Sequence, residues 1–299
     1  MRQIGRDYRL VIGNPKTGEA LEIVPPLHVE FTVKKYIDNR NNLNQATFRI
    51  YNLSKNSRTF FENTQYAQIV FSCGYVEAKN LAVIFKGQAV SVSTEYEGGD
   101  LVTVITAGES FIQLHNVIES ETIAAGKTVA DVVRAVVAKM QNVSLGSMTG
   151  EAILKKLPNG YPIEGTPREV LNALAKDLYI QWRCDKGVLS IRDNGGYFKT
   201  PDMQVFSLDR LTGLLGIPSY IDKRVGKADK DATGLPGIEF VALLNPTVST
   251  ADIVQLRSES SQINGEYQIR ELEFKGSFRG NTWTMRAECD ELRKRNGNI

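Results

Sequence analysis

Histidine and cysteine are scarce in this 299-residue chain. The two histidines, His28 and His115, lie at no recognised ligand spacing from a cysteine or a carboxylate, so the sequence predicts no metal site. The three cysteines, Cys73, Cys184 and Cys289, are scattered and odd in number, which favours buried free thiols over a disulfide framework. No cofactor is expected.

Long hydrophobic runs and an excess of one charge are missing as well. Apolar segments such as residues 81–85 and 240–244 are far shorter than the roughly 20 residues that span a bilayer, so no membrane-spanning segment is expected. Residues 1–8 carry two arginines without an apolar stretch behind them, so we expect no secretory signal and a mature protein that is the whole chain. The net charge of +2 argues against a global field for nucleic acid or membranes.

Catalytic motifs are also lacking. The sequence contains no Gly-x-Ser-x-Gly nucleophile elbow, and no cysteine has a recognisably reactive setting. Residues 125–128 match the end of a phosphate-binding loop, but Glu121 replaces the glycine required five residues before Gly126, and its carboxylate repels phosphate. Paired acids for glycoside hydrolysis stay open, because 34 acidic residues allow many spatial pairs.

The composition is that of an ordinary soluble globular protein, with 42% hydrophobic and 23% charged residues. At this length two or three domains are expected. Residues 21–109 alternate between apolar and polar residues and predict a compact all-β unit. Gly98 and Gly99 lie between two of its strands and indicate a tight hairpin.

The middle third predicts two amphipathic helices and a hairpin. Valines at helical spacing mark the first helix, over residues 128–140. The second begins at Thr166, with Pro167 at its first position and Glu169 able to close a capping box. Residues 179–184 and 188–192 then predict a pair of strands.

In the last third, glycine and proline interrupt the apolar residues 211–220, which predicts a buried bend rather than a helix interior. An exposed loop is expected over residues 223–237 and a solvated basic tail over residues 292–299. Strands are predicted at four places, the last two forming a hairpin: residues 237–244, 252–258, 265–277 and 281–289.

Residues 44–61 predict a strand that ends in a capped helical turn. Ala46, Phe48 and Ile50 share one face of the strand, and Asn52 and Ser54 can satisfy the free amides of the turn. The run Ile-Tyr-Asn-Leu-Ser before a polar helix resembles a segment of the baseplate hub proteins of tailed bacteriophages. Further similar segments follow in the same order at residues 82–87, 128–138, 165–178, 213–218 and 264–270.

The resemblance implies a mostly β fold with an α+β insert. Two tail-tube-like β-barrel domains, residues 1–112 and 201–299, would flank a small α/β domain at residues 113–200. It also implies a homotrimer that joins a six-fold tail tube to a three-fold central spike, contacts other baseplate proteins and encloses a channel for DNA without sequence-specific binding. Such a protein would be made in the host cytoplasm and reside in the virion's tail baseplate.

Aromatic and arginine residues suit interface anchors, and we predict an interface that includes Arg58, Phe60, Phe61 and Phe278. An intramolecular core position is the alternative for each of them. No residue needs to turn over a substrate in a hub, so no enzymatic activity is predicted. Two other functions stay open: a tail-associated peptidoglycan hydrolase and a carbohydrate-binding adhesion protein.

Overall fold

The computed structural model describes residues 4–62, 64–193, 203–221 and 237–292. The strands are β1 (Arg6–Gly13), β2 (Ala20–Ile23), β3 (Val29–Tyr36), β4 (Gln45–Tyr51), β5 (Gln68–Tyr75), β6 (Ala82–Glu97), β7 (Asp100–Gly108), β8 (Glu121–Ile123), β9 (Ser144–Thr149), β10 (Tyr161–Ile163), β11 (Ile180–Asp185), β12 (Val188–Asp193), β13 (Val205–Leu208), β14 (Leu214–Tyr220), β15 (Gly237–Leu243), β16 (Ile253–Leu256), β17 (Gly265–Ser277) and β18 (Trp283–Glu291). The helices are α1 (Lys55–Glu62), α2 (Phe111–His115), α3 (Val129–Ala138), α4 (Glu151–Leu154) and α5 (Pro167–Leu178), with a 3₁₀ turn at Ser261–Ile263.

The strand and capped helix predicted over residues 44–61 are confirmed as β4 and α1. Alternate residues of β4 are buried, as its apolar pattern requires. Ser54 caps α1, because its Oγ accepts a hydrogen bond from the Ser57 amide at 3.1 Å. Asn52, the other predicted capping residue, instead bonds to β7, because its Oδ1 accepts a hydrogen bond from the Leu101 amide at 3.0 Å.

The first β region folds over itself along one long strand. The first half of β6 pairs with β5 and its second half pairs with β7, so this one strand connects β5 to β7 within the sheet. Phe31 of β3 packs on Phe71 of β5 with ring centroids 4.6 Å apart. The predicted hairpin is confirmed, with Gly98 at φ 65° in the turn between β6 and β7.

The middle α/β unit has a core of its own, formed by the helices and by a small sheet in the order β11–β12–β9. Both predicted helices are confirmed, and each begins with a capping box, Thr128 with Asp131 and Thr166 with Glu169. The Thr128 amide donates to the Asp131 carboxylate at 2.9 Å. The helix start that resembles a phosphate loop is thus occupied by its own carboxylate.

One prediction in the last third is wrong. Residues 211–220 were expected to form a buried bend, but they include the strand β14, whose Leu215 and Ile217 are exposed. Pairing with β15 holds this segment extended, while the register shift between Leu215 and Ser219 accommodates its glycine and proline. The four predicted strands are confirmed as β15 to β18. The expected loop lies almost entirely, and the expected tail mostly, outside the described residues.

The two β regions form one sheet with one core. Eight of its strands follow one another in the order β14–β15–β18–β17–β3–β4–β7–β6, and we call this series the eight-stranded path. Within it, β3 pairs with β17 and joins the first and last thirds of the chain. Buried side chains from both regions form one cluster, here called the main core. The predicted mostly β fold with an α/β unit in the middle is confirmed. The two β-barrel domains that the resemblance implied are not closed barrels: within the described residues the sheet is open, because β3 of the first region pairs with β17 of the last.

Five strands of the first region pair in the same register as five of the last. The first unit, β3 to β7, corresponds strand by strand to the second unit, β14 to β18. The matching cross-strand pairs are Gln45–Gly108 with Gly237–Asp290, Tyr51–Val102 with Leu243–Thr284, and Gln68–Gln88 with Ile253–Gln268. This agreement over several strands makes the two units structural repeats of each other.

The irregularities of the two units coincide as well. Val90 is the extra residue of β6 against β7, and Arg270 is the extra residue of β17 against β18. When the registers of the two units are aligned, the bulge of β6 and the bulge of β17 lie opposite equivalent positions of β7 and β18. The units differ at β14, whose register shift has no counterpart in β3. They differ also in their outer strands, because β1 runs antiparallel to β5 whereas β13 runs parallel to β16.

Candidate assembly surfaces and the buried junction

The second half of β6 is an exposed sheet edge. Within the described part of the chain, residues 91–97 pair with β7 alone. Every residue from Val90 to Glu97 is exposed, and Tyr96 is 84% exposed. A long edge that is neither covered nor bulged away over these residues is a ready partner for another strand.

The other end of the eight-stranded path is β14, which pairs with β15. Beside it lies a groove of about 800 Å³ lined by Leu214, Leu215, Ile217 and Arg257 among others. Leu211 at the rim is 96% exposed and Ile217 is 65% exposed. A cluster of exposed apolar side chains on a protein surface often marks an interaction site.

One face of the path is polar, whereas the other packs on the main core. Cross-strand pairing places glutamates in excess over lysines and arginines on the polar face. The acidic residues include Glu30, Glu95, Glu97, Asp100, Glu239, Glu271, Glu273, Glu288 and Asp290, and the basic ones include Lys34, Arg49, Arg270, Lys275 and Arg286. Several of the basic residues are engaged with these acids, as Lys34 is with Glu273 at 3.5 Å and Arg286 is with Glu239.

A cluster of buried charges joins the main sheet to the α/β unit. Lys35 at the end of β3 contacts Asp185 of β11 with Nζ–Oδ1 at 2.6 Å and Glu109 after β7 with Nζ–Oε1 at 3.2 Å. Glu109 also accepts hydrogen bonds from the side chain of Asn44 at 2.8 Å and from the Lys186 amide at 3.2 Å. We call these residues the buried junction.

Burial and mutual attraction act in opposite directions in the buried junction. Burial lowers the pKa of Lys35, but Asp185 and Glu109 outweigh it and hold that pKa above its ordinary value. Burial raises the pKa of Glu109, and repulsion from Asp185 adds to the rise while Lys35 opposes it. For Asp185 the effect of burial is overcome by Lys35, Arg183 and Lys186, so its pKa is lowered. Lys35 and Asp185 therefore stay charged as a pair.

Hydrogen bonds to backbone groups extend the buried junction along β11. The Cys184 amide donates to Asn39 Oδ1 at 2.7 Å, and the Asn39 amide donates to the Trp182 carbonyl at 2.8 Å. On the other side of β11, Arg183 Nη1 donates to the Thr250 carbonyl at 2.8 Å. β11 therefore contacts both β regions, which fixes the α/β unit against the main sheet.

Sequence reasoning did not find the buried junction. Val29, Phe31 and Val33 face the main core, and Lys35 continues the same inward series. A lysine at an inward position of a strand is the signal that could have indicated a buried ion pair, because an unpaired buried ammonium is very costly. Its partners are distant in sequence, so the pattern alone could not name them.

Three of the four predicted interface residues lie on α1, and the fourth, Phe278, follows β17. Phe61 is buried in the main core, and Phe60 packs against its ring edge-to-face at 5.9 Å while staying half-buried. Arg58 donates to the Leu53 carbonyl at 2.5 Å. Phe278 packs on Tyr8 at 5.3 Å. Their role between subunits stays a prediction.

The two histidines and three cysteines take packing positions. His28 lies against the ring of Tyr51 at 4.5 Å, and His115 lies against Phe111 at 4.4 Å. All three cysteines are buried free thiols, as predicted. In the described ranges no group of three or more metal-ligating side chains comes together. None of the helices in that part of the chain has the length and apolar character to cross a membrane.

The family comparison matches most of the chain. The model of the family described as "Baseplate hub gp41" aligns with residues 16–289. The search of curated proteins found no match.

Solved structures share the fold at very low sequence identity. The 43 kDa tail protein of prophage MuSo2 from Shewanella oneidensis is 11% identical with a TM-score of 0.66, over 96% of this chain and 98% of that one. A tail protein from Neisseria meningitidis MC58 is 10% identical with a TM-score of 0.63, over 96% and 97%. The E. coli c3393 protein, described as a type VI secretion component similar to T4 tail proteins gp27 and gp5, is 9% identical with a TM-score of 0.63, over 91% and 76%.

Proposed function

This chain belongs to the baseplate hub gp41 family, and from that premise we propose that it forms a homotrimeric hub joining a six-fold tail tube to a three-fold central spike. The observation that carries the proposal is the register-matched repeat of the first and second units. A chain with two equivalent units presents six of them when three copies assemble around an axis. The same ring then offers six-fold contacts on one side and three-fold contacts on the other.

The continuous sheet supports a ring with a central channel. The eight strands run from one exposed edge to another, so neighbouring copies can continue the sheet around the axis. The polar face would then line the channel, because the opposite face is covered by the main core. Each copy would give one tail-tube-like unit from the first β region and one from the last, with the α/β unit, near residues 113–200, outside the sheet.

The charge of the polar face fits passage of DNA without binding. Nucleic acid is held mainly by lysines and arginines that neutralise phosphates. Here glutamates outnumber the basic residues, and Arg49, for example, is paired with Glu97. DNA passing this surface would meet more carboxylates than cations, which disfavours holding its phosphates.

The role we propose is structural, without turnover of a substrate. The charged groups of the buried junction bond to one another across three segments, which suits a fixed connection rather than proton transfer. Contacts with the tube, the spike and other baseplate proteins follow from the same role, as does a location in the virion after synthesis in the host cytoplasm. Phe60, Arg58 and Phe278 remain candidates for contacts with neighbouring subunits or with these proteins.

Mass measurement tests the proposal directly. Light scattering on the purified chain at micromolar concentration should give the mass of three copies, and quantification in purified virions should give three copies per particle. A stable monomer that is also absent from virions would refute the hub. Lysis of purified cell walls, lost on changing one acid pair, would instead favour the hydrolase.

A further inference from the structure

We propose that β14 of one copy pairs with residues 91–97 of β6 in the next copy, in the register that β3 and β17 use within the chain. This inference rests on the trimer proposed above and specifies how its subunits meet. The partner is a second copy of this chain. The argument comes from the equivalence of the two units, from the exposure of one strand face and from the sizes of facing residues.

Within the chain, the two units are joined by one particular strand pair. The outer edge of β17 pairs with β16 along its first part and with β3 along residues 271–277. The outer edge of β6 likewise pairs with β5 along its first part. Its remaining part, residues 91–97, is the counterpart of the segment that receives β3, and in the described chain it has no outer neighbour.

The counterpart of β3 in the second unit is β14, at the far end of the path. β3 carries the first unit onto β17 of the second unit. Repeating the same join between copies carries β14 of one chain onto β6 of the next. Because the join uses different edges on the two sides, the contact is head-to-tail, which closes into a ring when the rotation fits.

The exposure of Val92, on the side of the sheet that faces the main core, supports this contact. Leu272 and Phe274 of β17 are fully buried, and their counterparts on β6 are Val92 and Thr94. Val92 is 39% exposed, although it points to the same side of the sheet as Leu272. A neighbouring copy seated on this edge would cover the exposed face as the first unit covers β17.

Facing residues at the two joins also complement each other in size. In the chain, Gly276 of β17 lies opposite Phe31 of β3, and a Cβ at Gly276 would come within 2.4 Å of that ring. The counterpart of Gly276 on β6 is Tyr96, which is large and exposed. The counterpart of Phe31 on β14 falls in the irregular stretch that starts with Gly216, where a Cβ would meet nothing within 4 Å. At the proposed contact the large residue therefore lies on β6, and the facing stretch of β14, residues 216–218, begins with a glycine.

The equivalence fixes the register of the proposed pair. Ser219 corresponds to Thr32, because both lie at the matched position of β15 and β4. Thr32 lies opposite Lys275 of β17, whose counterpart on β6 is Glu95. Ser219 of one copy should therefore lie opposite Glu95 of the next. Directly opposite residues in antiparallel strands have Cβ atoms about 4.5–5.5 Å apart, within reach of a disulfide after small shifts.

Cysteine cross-linking tests the register. The double variant Glu95→Cys/Ser219→Cys should form disulfides between copies under mild oxidation, up to covalent trimers on non-reducing gels. The matched control is Thr94→Cys/Ser219→Cys, in which the two side chains point to opposite faces, so about tenfold less product is expected. Mixing the two single variants, Glu95→Cys and Ser219→Cys, should give linked dimers, which shows that the bond joins different chains. The native cysteines are buried and should not compete.

The outcomes separate this inference from the hub proposal. A trimer by light scattering with preferential linkage of positions 95 and 219 supports both. A trimer in which this pair links no better than the control overturns the proposed strand contact and leaves the hub standing. A monomer of the unmodified chain that is also absent from virions overturns both.

Discussion

Gln88 and Gln268 occupy the same position in the two units of the main sheet. Each lies where a long strand passes from one neighbour to the other, since Gln88 is opposite both Gln68 and Gly108 and Gln268 is opposite both Ile253 and Asp290. Both are buried. Gln88 Oε1 accepts from the Phe111 amide at 2.8 Å, and Gln268 Nε2 donates to the Ala251 carbonyl at 2.9 Å. The repeat thus extends to the polar groups that hold each long strand at its crossing.

Removing the ammonium of the buried junction should destabilise the protein strongly. Lys35→Met leaves Glu109 and Asp185 buried without their cation, which typically costs about 3–5 kcal/mol. The matched control is Lys34→Met on the same strand, whose half-exposed pair with Glu273 is worth about 0–1 kcal/mol. Urea unfolding followed by tryptophan fluorescence measures both. Equal losses in the two variants would contradict a structural role for the buried junction.

Asp185 should contribute to the pH dependence of stability. Its folded pKa is lowered by Lys35, Arg183 and Lys186 against the effect of burial, so its stabilisation is present above its ordinary pKa and is lost as the pH falls. Glu109 acts in the opposite sense, because its folded pKa is raised and its contribution is lost as the pH rises.

Asp185→Asn isolates one of these two effects. The variant should be less stable than the wild type at pH 7, and the difference should shrink as the pH falls below about 4, where the wild-type carboxylate begins to lose its advantage. Unfolding midpoints in urea between pH 7 and pH 3 give the comparison. A difference that stays constant over this range would show that the charge of Asp185 is not the cause.

Neighbouring phenylalanines of α1 should respond differently to substitution. Phe61→Ser removes a buried ring from the main core and should cost about 3 kcal/mol or more. Phe60→Ser removes a half-buried ring and should cost about 1 kcal/mol. Thermal unfolding of the two variants measures the difference. If Phe60→Ser also keeps its fold but fails to associate with tail tubes, the predicted interface role of Phe60 is supported, whereas full association would count against it.

Gly276 should not tolerate a side chain. A Cβ there would lie 2.4 Å from the Phe31 ring and 2.8 Å from Trp283, so Gly276→Ala should destabilise by about 1–3 kcal/mol through overpacking. Gly99→Ala is the control, since nothing lies within 4 Å of a Cβ at that position. Circular dichroism melts compare the two variants. A stable Gly276→Ala variant would mean that Phe31 has more freedom than its packing indicates.

Local patterns in the sequence carried much of the fold. The helix starts at Thr128 and Thr166 depend on residues three positions away, so capping chemistry alone located them. Strands such as β4 and β17 follow from alternation of apolar residues. β14 escaped this reasoning, because its glycine and proline argue against a regular strand and only its pairing with β15 holds it extended.

The candidate assembly surfaces were only partly accessible from sequence. Arginines and aromatics near α1 suggested an interface, yet Phe61 belongs to the core. Tyr96 and Ile217 look like ordinary apolar residues until their exposure at the two ends of the sheet is known. Exposure depends on which segments cover a strand, and those segments lie far away along the chain.

By itself the sequence determined where the chain turns, where its helices begin, which faces of its strands are apolar, and the resemblance to hub proteins. The tertiary structure decided which distant segments meet, as β3 does with β17 and Lys35 does with Asp185. It also decided that the strands of the first unit pair in the same register as those of the second. The reason is that register depends on backbone hydrogen bonds and on packing between distant segments, which many different side chains can satisfy. Two units can therefore share a fold while their sequences show little trace of it.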